Sequence, residues 1–125
     1  MTHNTQSLGR WGETAAQDYL ISKGYKIIDR NFRNKIGEID IIAKKGRLIA
    51  FVEVKTRDSI HAAHFLPEQS VNPHKQRKLR KLCEMYLTTH KLPEDQEWQI
   101  DVMSIILDKT AKKARINHIQ NAVWG

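Results

Sequence analysis

The sequence predicts an α/β fold: one mixed β-sheet flanked by helices, in the order αβββαββ. Three observations predict it. Two stretches repeat apolar residues near the 3.6-residue helical period. Five others are short, rich in apolar residues and bounded by turn residues or charges, as strands are. The 125 residues suit a single domain, 1–125, and contain no repeat, low-complexity tract or linker.

The first helix is expected over roughly 8–23, "LGRWGETAAQDYLISK". Leu8, Trp11, Ala15 and Tyr19 mark its apolar stripe, widened by Ala16 and Leu20, and Gly24 stops it. On this pattern Trp11 belongs to the core rather than to a base-stacking platform. Strands follow at "YKIIDRNFR", at 37–43 and at "RLIAFVEVKT". Residues 58–71 have no clear period and read as a loop. The second helix opens at Asn72, an N-cap, with Pro73 at its first turn. Its stripe is Leu79, Leu82, Cys83 and Tyr86. A fourth strand, "EWQIDVMSIIL", and a short fifth, "RINHIQNAV", complete the set.

Carboxylates and a lysine interrupt the most apolar part of the chain, "GEIDIIAKKGRLIAFVEVKTR". Strand side chains alternate faces, which puts Glu38 and Asp40 on one face and Ile39 and Ile41 on the other. Glu53 and Lys55 share a face of the next strand. The link "KKGR" has the glycine of a hairpin turn. With Gly46 and Arg47 at the turn centre, a type II′ turn sets Asp40 opposite Glu53. With Lys45 and Gly46 there, the pair is diagonal on the same face. Adjacent carboxylates repel, and a divalent cation removes that cost. Mg²⁺ is held by one or two carboxylates plus substrate phosphate. The same pattern also describes a cross-strand salt-bridge cluster on a solvated sheet face. Glu38 reads as a supporting residue.

The net charge of +7 suggests a polyanionic partner. Five cations lie within 75–81, before any acid at Glu84. Lys75, Lys78 and Lys81 fall outside the apolar stripe of their helix and are read as contacts to a phosphate backbone. The alternative is an ordinary solvated face. The helix N-terminus nearby adds free N–H groups and a positive dipole. The single cysteine, Cys83, excludes an internal disulfide and reads as a buried thiol. His61, His64 and His74 lack the spacing of metal ligands. No apolar run is long enough to span a membrane, and the N-terminus lacks the apolar core of a signal peptide. A cytoplasmic protein with no membrane partner is expected.

"GEID" followed by "FVEVK" resembles the PD-(D/E)XK nuclease superfamily, which includes restriction endonucleases and archaeal Holliday-junction resolvases. "GRWGETAAQDYL", "RNFRNKIGEIDIIA" and "FVEVKTR" together closely resemble the YraN family of small bacterial endonuclease-like proteins. The likeness is densest over 9–57 and continues through "SVNPHKQRKL", "WQIDVMSI" and "INHIQNAVWG". It implies a restriction-endonuclease-like sheet and a metal-dependent endodeoxyribonuclease using Mg²⁺ or Mn²⁺ on DNA, branched or otherwise structured. It implies metal binding by Asp40 and Glu53 and assistance of hydrolysis by Lys55. In the resolvase-like branch a helix-1 glutamate joins the metal site, which maps to Glu13; an early-turn acid favoured by the helix dipole is the other reading. Ile39 stands where many superfamily members have a proline. Resolvase-like enzymes cut two strands as homodimers, though no residue pattern here marks a dimer interface. The alternative function is a non-catalytic nucleic-acid-binding module that keeps the fold.

Overall fold

The computed structural model describes residues 5–59, 72–108 and 110–123. Most of the expected loop at 58–71, with His61 and His64, lies outside these residues.

The elements follow the expected order: α1 (Thr5–Ser22), β1 (Lys26–Arg33), β2 (Glu38–Lys45), β3 (Leu48–Asp58), α2 (Pro73–Thr89), β4 (Glu97–Asp108) and β5 (Lys113–Val123). The five strands form one sheet in sequential order. β3 and β4 are parallel, and the other neighbours are antiparallel. A parallel pair needs a long crossover, and the segment containing α2 supplies it.

The helices cover opposite faces of the sheet. Ala16 and Leu20 of α1 pack with Ile41, Ala43, Ala50, Val52, Met103 and Ile105. Leu79, Leu82, Cys83 and Tyr86 of α2 pack with Ile39, Ile42, Ile49, Phe51, Ile100 and Val102. The α2 stripe is thus the one its periodicity predicts. Asn72 caps the helix by accepting from the Lys75 backbone N–H at 3.0 Å. Cys83 is fully buried, and burial pushes its thiol well above the ordinary range, which leaves it unreactive.

Trp11 is a correction. It is 48% exposed and lies outside the core. α1 leans on β3 through Gly12 instead, where a Cβ would overlap the Thr56 side chain. That close approach rotates Ala16 and Leu20 onto the sheet and turns Trp11 outward.

β5 is longer than its apolar pattern suggests. It is pinned by Asp101, a fully buried acid that accepts from the Asn121 N–H (2.9 Å) and Gln99 Nε2 (2.9 Å), and pairs with His118 Nε2 at 2.7 Å. These bonds satisfy a carboxylate that burial would otherwise disfavour. Among the described residues, no helix is long and apolar enough to cross a membrane.

Candidate metal and nucleic-acid site

The β2–β3 hairpin sets the centre of the site. Lys45 pairs with Leu48, which leaves Gly46 and Arg47 as the two central turn residues. Gly46 has φ 60°, and Arg47 stays outside the left-handed region, as a type II′ turn requires. The ladder runs from there to Ile41↔Val52. One residue further, this register sets Asp40 opposite Glu53.

At that point the strands part. Asp40 Oδ2 accepts a hydrogen bond from the Val54 backbone N–H at 2.7 Å, so its side chain serves as acceptor where the ladder has ended. The strand alternation breaks here too. Ile39 packs on the α2 side and Ile41 on the α1 side, although strict alternation puts them on one face. The cause is the opening of β2 from β3 at Asp40, which leaves the carboxylate between the two layers.

Asp40 ionises with difficulty. Burial is the largest cause, the neighbouring Glu53 carboxylate the next, and Glu13 and Glu38 add less; the Val54 N–H opposes them. The net effect raises its pKa to about 8. Glu53 is held by Lys55 Nζ at 3.0 Å, with both side chains mostly buried.

Glu13 approaches from α1. Its carboxyl is raised mainly by burial, with Arg30 opposing and Glu38 and Glu53 adding to the rise. Arg30 Nη2 lies 3.9 Å from it, while Arg30 Nη1 donates to Gln17 Oε1 at 2.9 Å. Asn31 adopts φ 54° within β1, between the pairs Arg30↔Ile41 and Phe32↔Ile39, and therefore opposite Asp40. With its amide nitrogen turned towards the acids, Asn31 donates to Glu13 Oε1 and Glu38 Oε1, each at 2.8 Å. Arg33 Nη2 bonds Glu38 Oε2 at 3.2 Å. A left-handed non-glycine residue inside a strand is costly, and here its amide separates two carboxylates that would repel.

Two clefts meet at this centre. The larger, about 880 Å³, is lined by Gly9, Arg10, Glu13, Arg30, Asn31, Arg33, Glu38 and Asp40. The smaller, about 170 Å³, is lined by Glu38, Glu53, Lys55, Lys75 and Lys78, with Ile36, Gly37, Leu79 and Leu82. Glu38 lines both and joins them. The fold thus brings Asp40, Glu53 and Lys55 together, adds Glu13 from one side and Lys75 and Lys78 from the other. Lys81 is exposed on α2 and lines neither cleft.

The donor set fits a Mg²⁺ or Mn²⁺ ion held by two carboxylates and completed by water and substrate phosphate. Among the described residues, no three His, Cys, Asp or Glu side chains converge to hold a metal. The three-carboxylate set of Glu13, Asp40 and Glu53 is therefore not assembled in this structure. Glu13 is held by Asn31 and Arg30 instead.

Residues 12–105 match the model of the uncharacterised protein family UPF0102. The chain belongs to that family. It is the YraN family of the sequence resemblance. The chain is 42% identical to a UPF0102 protein of Caldicellulosiruptor bescii, over 95% of this chain and 98% of that one. It is also 42% identical to one of Chlorobium limicola, over 99% and 97%. A UPF0102 protein of Syntrophomonas wolfei is 44% identical over 94% and 97%. Among solved structures, SfsA of Pyrococcus furiosus in complex with Ca²⁺ matches 94% of this chain and 64% of its own, at 13% identity and a TM-score of 0.37. That likeness is too weak to assign a function.

Sequence reasoning left Arg30, Asn31 and Arg33 without a role, although "RNFR" packs two arginines and an asparagine into one strand. Their signal was chemical rather than periodic. Three residues with strong hydrogen-bonding side chains in a short strand have little to do in an apolar core.

Proposed function

We propose that this UPF0102 protein is a metal-dependent nuclease that hydrolyses phosphodiester bonds in DNA, with branched or otherwise structured DNA as its substrate. One observation carries the reading: the hairpin register sets Asp40 opposite Glu53 and Lys55 beside them, in a centre where two clefts meet. Asp40 and Glu53 are the residues to hold Mg²⁺ or Mn²⁺, and Glu13 joins them if Asn31 releases it. The bound ion supplies Lewis-acid polarisation of the phosphoryl oxygen and neutralises developing charge.

The remaining chemistry belongs to side chains. Lys55 Nζ lies 3.0 Å from Glu53, placed to contact the scissile phosphate or orient the attacking water. Lys75 and Lys78 draw the sugar–phosphate backbone into the smaller cleft. Asp40 loses its proton as the cation binds, because a ligating carboxylate must be ionised. Two-strand cleavage of a junction needs two such centres, and a homodimer supplies them.

A second reading is supported by one feature. Lys75 and Lys78 in the smaller cleft equally suit a module that binds nucleic acid without cutting it. A cleavage panel over linear, nicked, flap and four-way DNA with Mg²⁺ or Mn²⁺ decides between the two. Divalent-dependent cutting that Asp40→Ala, Glu53→Ala and Lys55→Ala each abolish supports the nuclease. Binding without cutting, under every metal and on every substrate, supports the module. Wild-type cutting by folded Asp40→Ala refutes the site.

A further inference from the structure

We infer that the outward face of α1 around Trp11 is a stacking shelf for an unpaired base of the nucleic-acid substrate. The inference rests on the proposed function, since it extends the path of the same strand. A single exposed tryptophan needs no explanation by itself. Trp11 is distinguished by its surroundings. It lies with Thr14, Ala15 and Asp18 in a shallow depression of about 490 Å³ whose remaining wall is Arg10. Arg10 also lines the larger cleft beside Arg30, Arg33 and Asp40. The depression and the acidic centre are therefore continuous through one cation.

The chemistry along this line suits a single strand. Arg10, Arg30 and Arg33 of the larger cleft supply the cations for phosphates of a strand that leaves Asp40. Beyond them an indole face, nearly half exposed, meets the next base. Grooves that track single strands combine a cationic path with an aromatic platform of this kind. Asp18 fixes the orientation. It lines the depression but not the larger cleft, so phosphate is repelled from its side and the uncharged base takes the place over Trp11 and Ala15. A base paired inside a duplex cannot lie flat on the indole, because both of its faces are occupied by the stack. Duplex DNA thus gains little from the shelf, and a flap, gap or single-stranded end gains much.

The test uses the full chain carrying Asp40→Asn, in chelator, so that nothing is cut. Affinity for a short labelled single strand and for a blunt duplex is measured by anisotropy, with Trp11→Ala, Trp11→Phe and Arg10→Ala added in turn. Trp11→Ala is expected to weaken single-strand binding roughly 10- to 100-fold, and Trp11→Phe to restore most of it. Duplex binding changes by less than about two-fold. Arg10→Ala lowers the slope of log K against log salt for the single strand by about 0.7. Unchanged single-strand affinity in Trp11→Ala, while the parent binds well, overturns the shelf and leaves the proposed function standing. A parent that binds neither of these, nor flap or four-way DNA added as controls, overturns the proposed function, and the shelf with it. Self-association that Trp11→Ala abolishes without affecting nucleic-acid binding assigns this face to a second copy of the chain and overturns the shelf.

Discussion

Replacing Asp40 by Asn should stabilise the metal-free protein, and by an amount that depends on pH. An aspartate in the unfolded chain ionises near its ordinary value of about 3.9. In the fold Asp40 ionises at about 8, because it is buried and faces Glu53. Between these values the unfolded chain has released a proton that the native state still holds. Stability therefore falls as pH rises from about 4 to about 8, then levels off. Four pH units at about 1.4 kcal/mol each put the cost on the order of 5 kcal/mol above pH 8 or so. Asn keeps an acceptor for the Val54 N–H and has no charge to bury. Even half of that cost corresponds to roughly 10 °C in Tm for a domain of this size. Thermal melts in chelator should show Asp40→Asn about 10 °C or more above wild type near pH 8, and level with it near pH 4. Mg²⁺ or Mn²⁺ near pH 8 should narrow the gap by stabilising the wild type alone. An equal gain at both pH values, or none at either, would refute the assignment of the strain to a buried carboxylate.

The other features invite tests of their own. Gly12→Ala should lower stability by about 1–3 kcal/mol through overlap with Thr56, and Thr56→Ala in the same chain should return part of it; denaturant midpoints measure both. Asn31→Gly should preserve the left-handed backbone and lose only the amide bridge to Glu13 and Glu38. Asn31→Ala should lose both and melt lower than Asn31→Gly; equal melting points would show that the backbone there is unstrained. Changing Lys75 and Lys78 together to Ala should flatten the salt dependence of duplex binding by about 0.9 per lysine, whereas Lys81→Ala should leave it unchanged.

The fold was legible wherever one period governed a segment. α2 shows this well: the Asn72 cap, Pro73 and the Leu79–Leu82–Cys83–Tyr86 stripe are local signals, and the structure uses each of them. For Asp40 and Glu53 the sequence left two registers open, opposite or diagonal, and the Lys45↔Leu48 pair selects the turn centred on Gly46 and Arg47. Two things were not legible. Trp11 sat on the apolar stripe of α1, yet which part of that stripe meets the sheet depends on Gly12 touching Thr56, some forty residues away. The second is the role of Arg30, Asn31 and Arg33, set by a register shift in β1 between Ile27 and Asp29 and by the parting of β2 from β3. Irregularities of this kind leave no period to read.

Such irregularities also bear on how copies of the chain meet. β1 and β5 are the two edges of the sheet, and each is interrupted. β1 carries its register shift and the left-handed Asn31; the β4–β5 ladder shifts between Ile100 and Val102, and β5 holds a left-handed Asn121. An edge strand with straight, unpaired N–H and C=O groups is a template for another strand, and bends of this kind spoil it. The interruption falls in the middle of β1 but only near the end of β5, which pairs regularly from Lys113 to Ile119. Aggregation by edge-to-edge pairing is thereby discouraged at the same two asparagines that organise the acids inside, one beside Asp40 and one beside Asp101. A sheet continued across two chains of this protein would therefore have to join them through the Lys113–Ile119 stretch of β5, because β1 is broken at its middle.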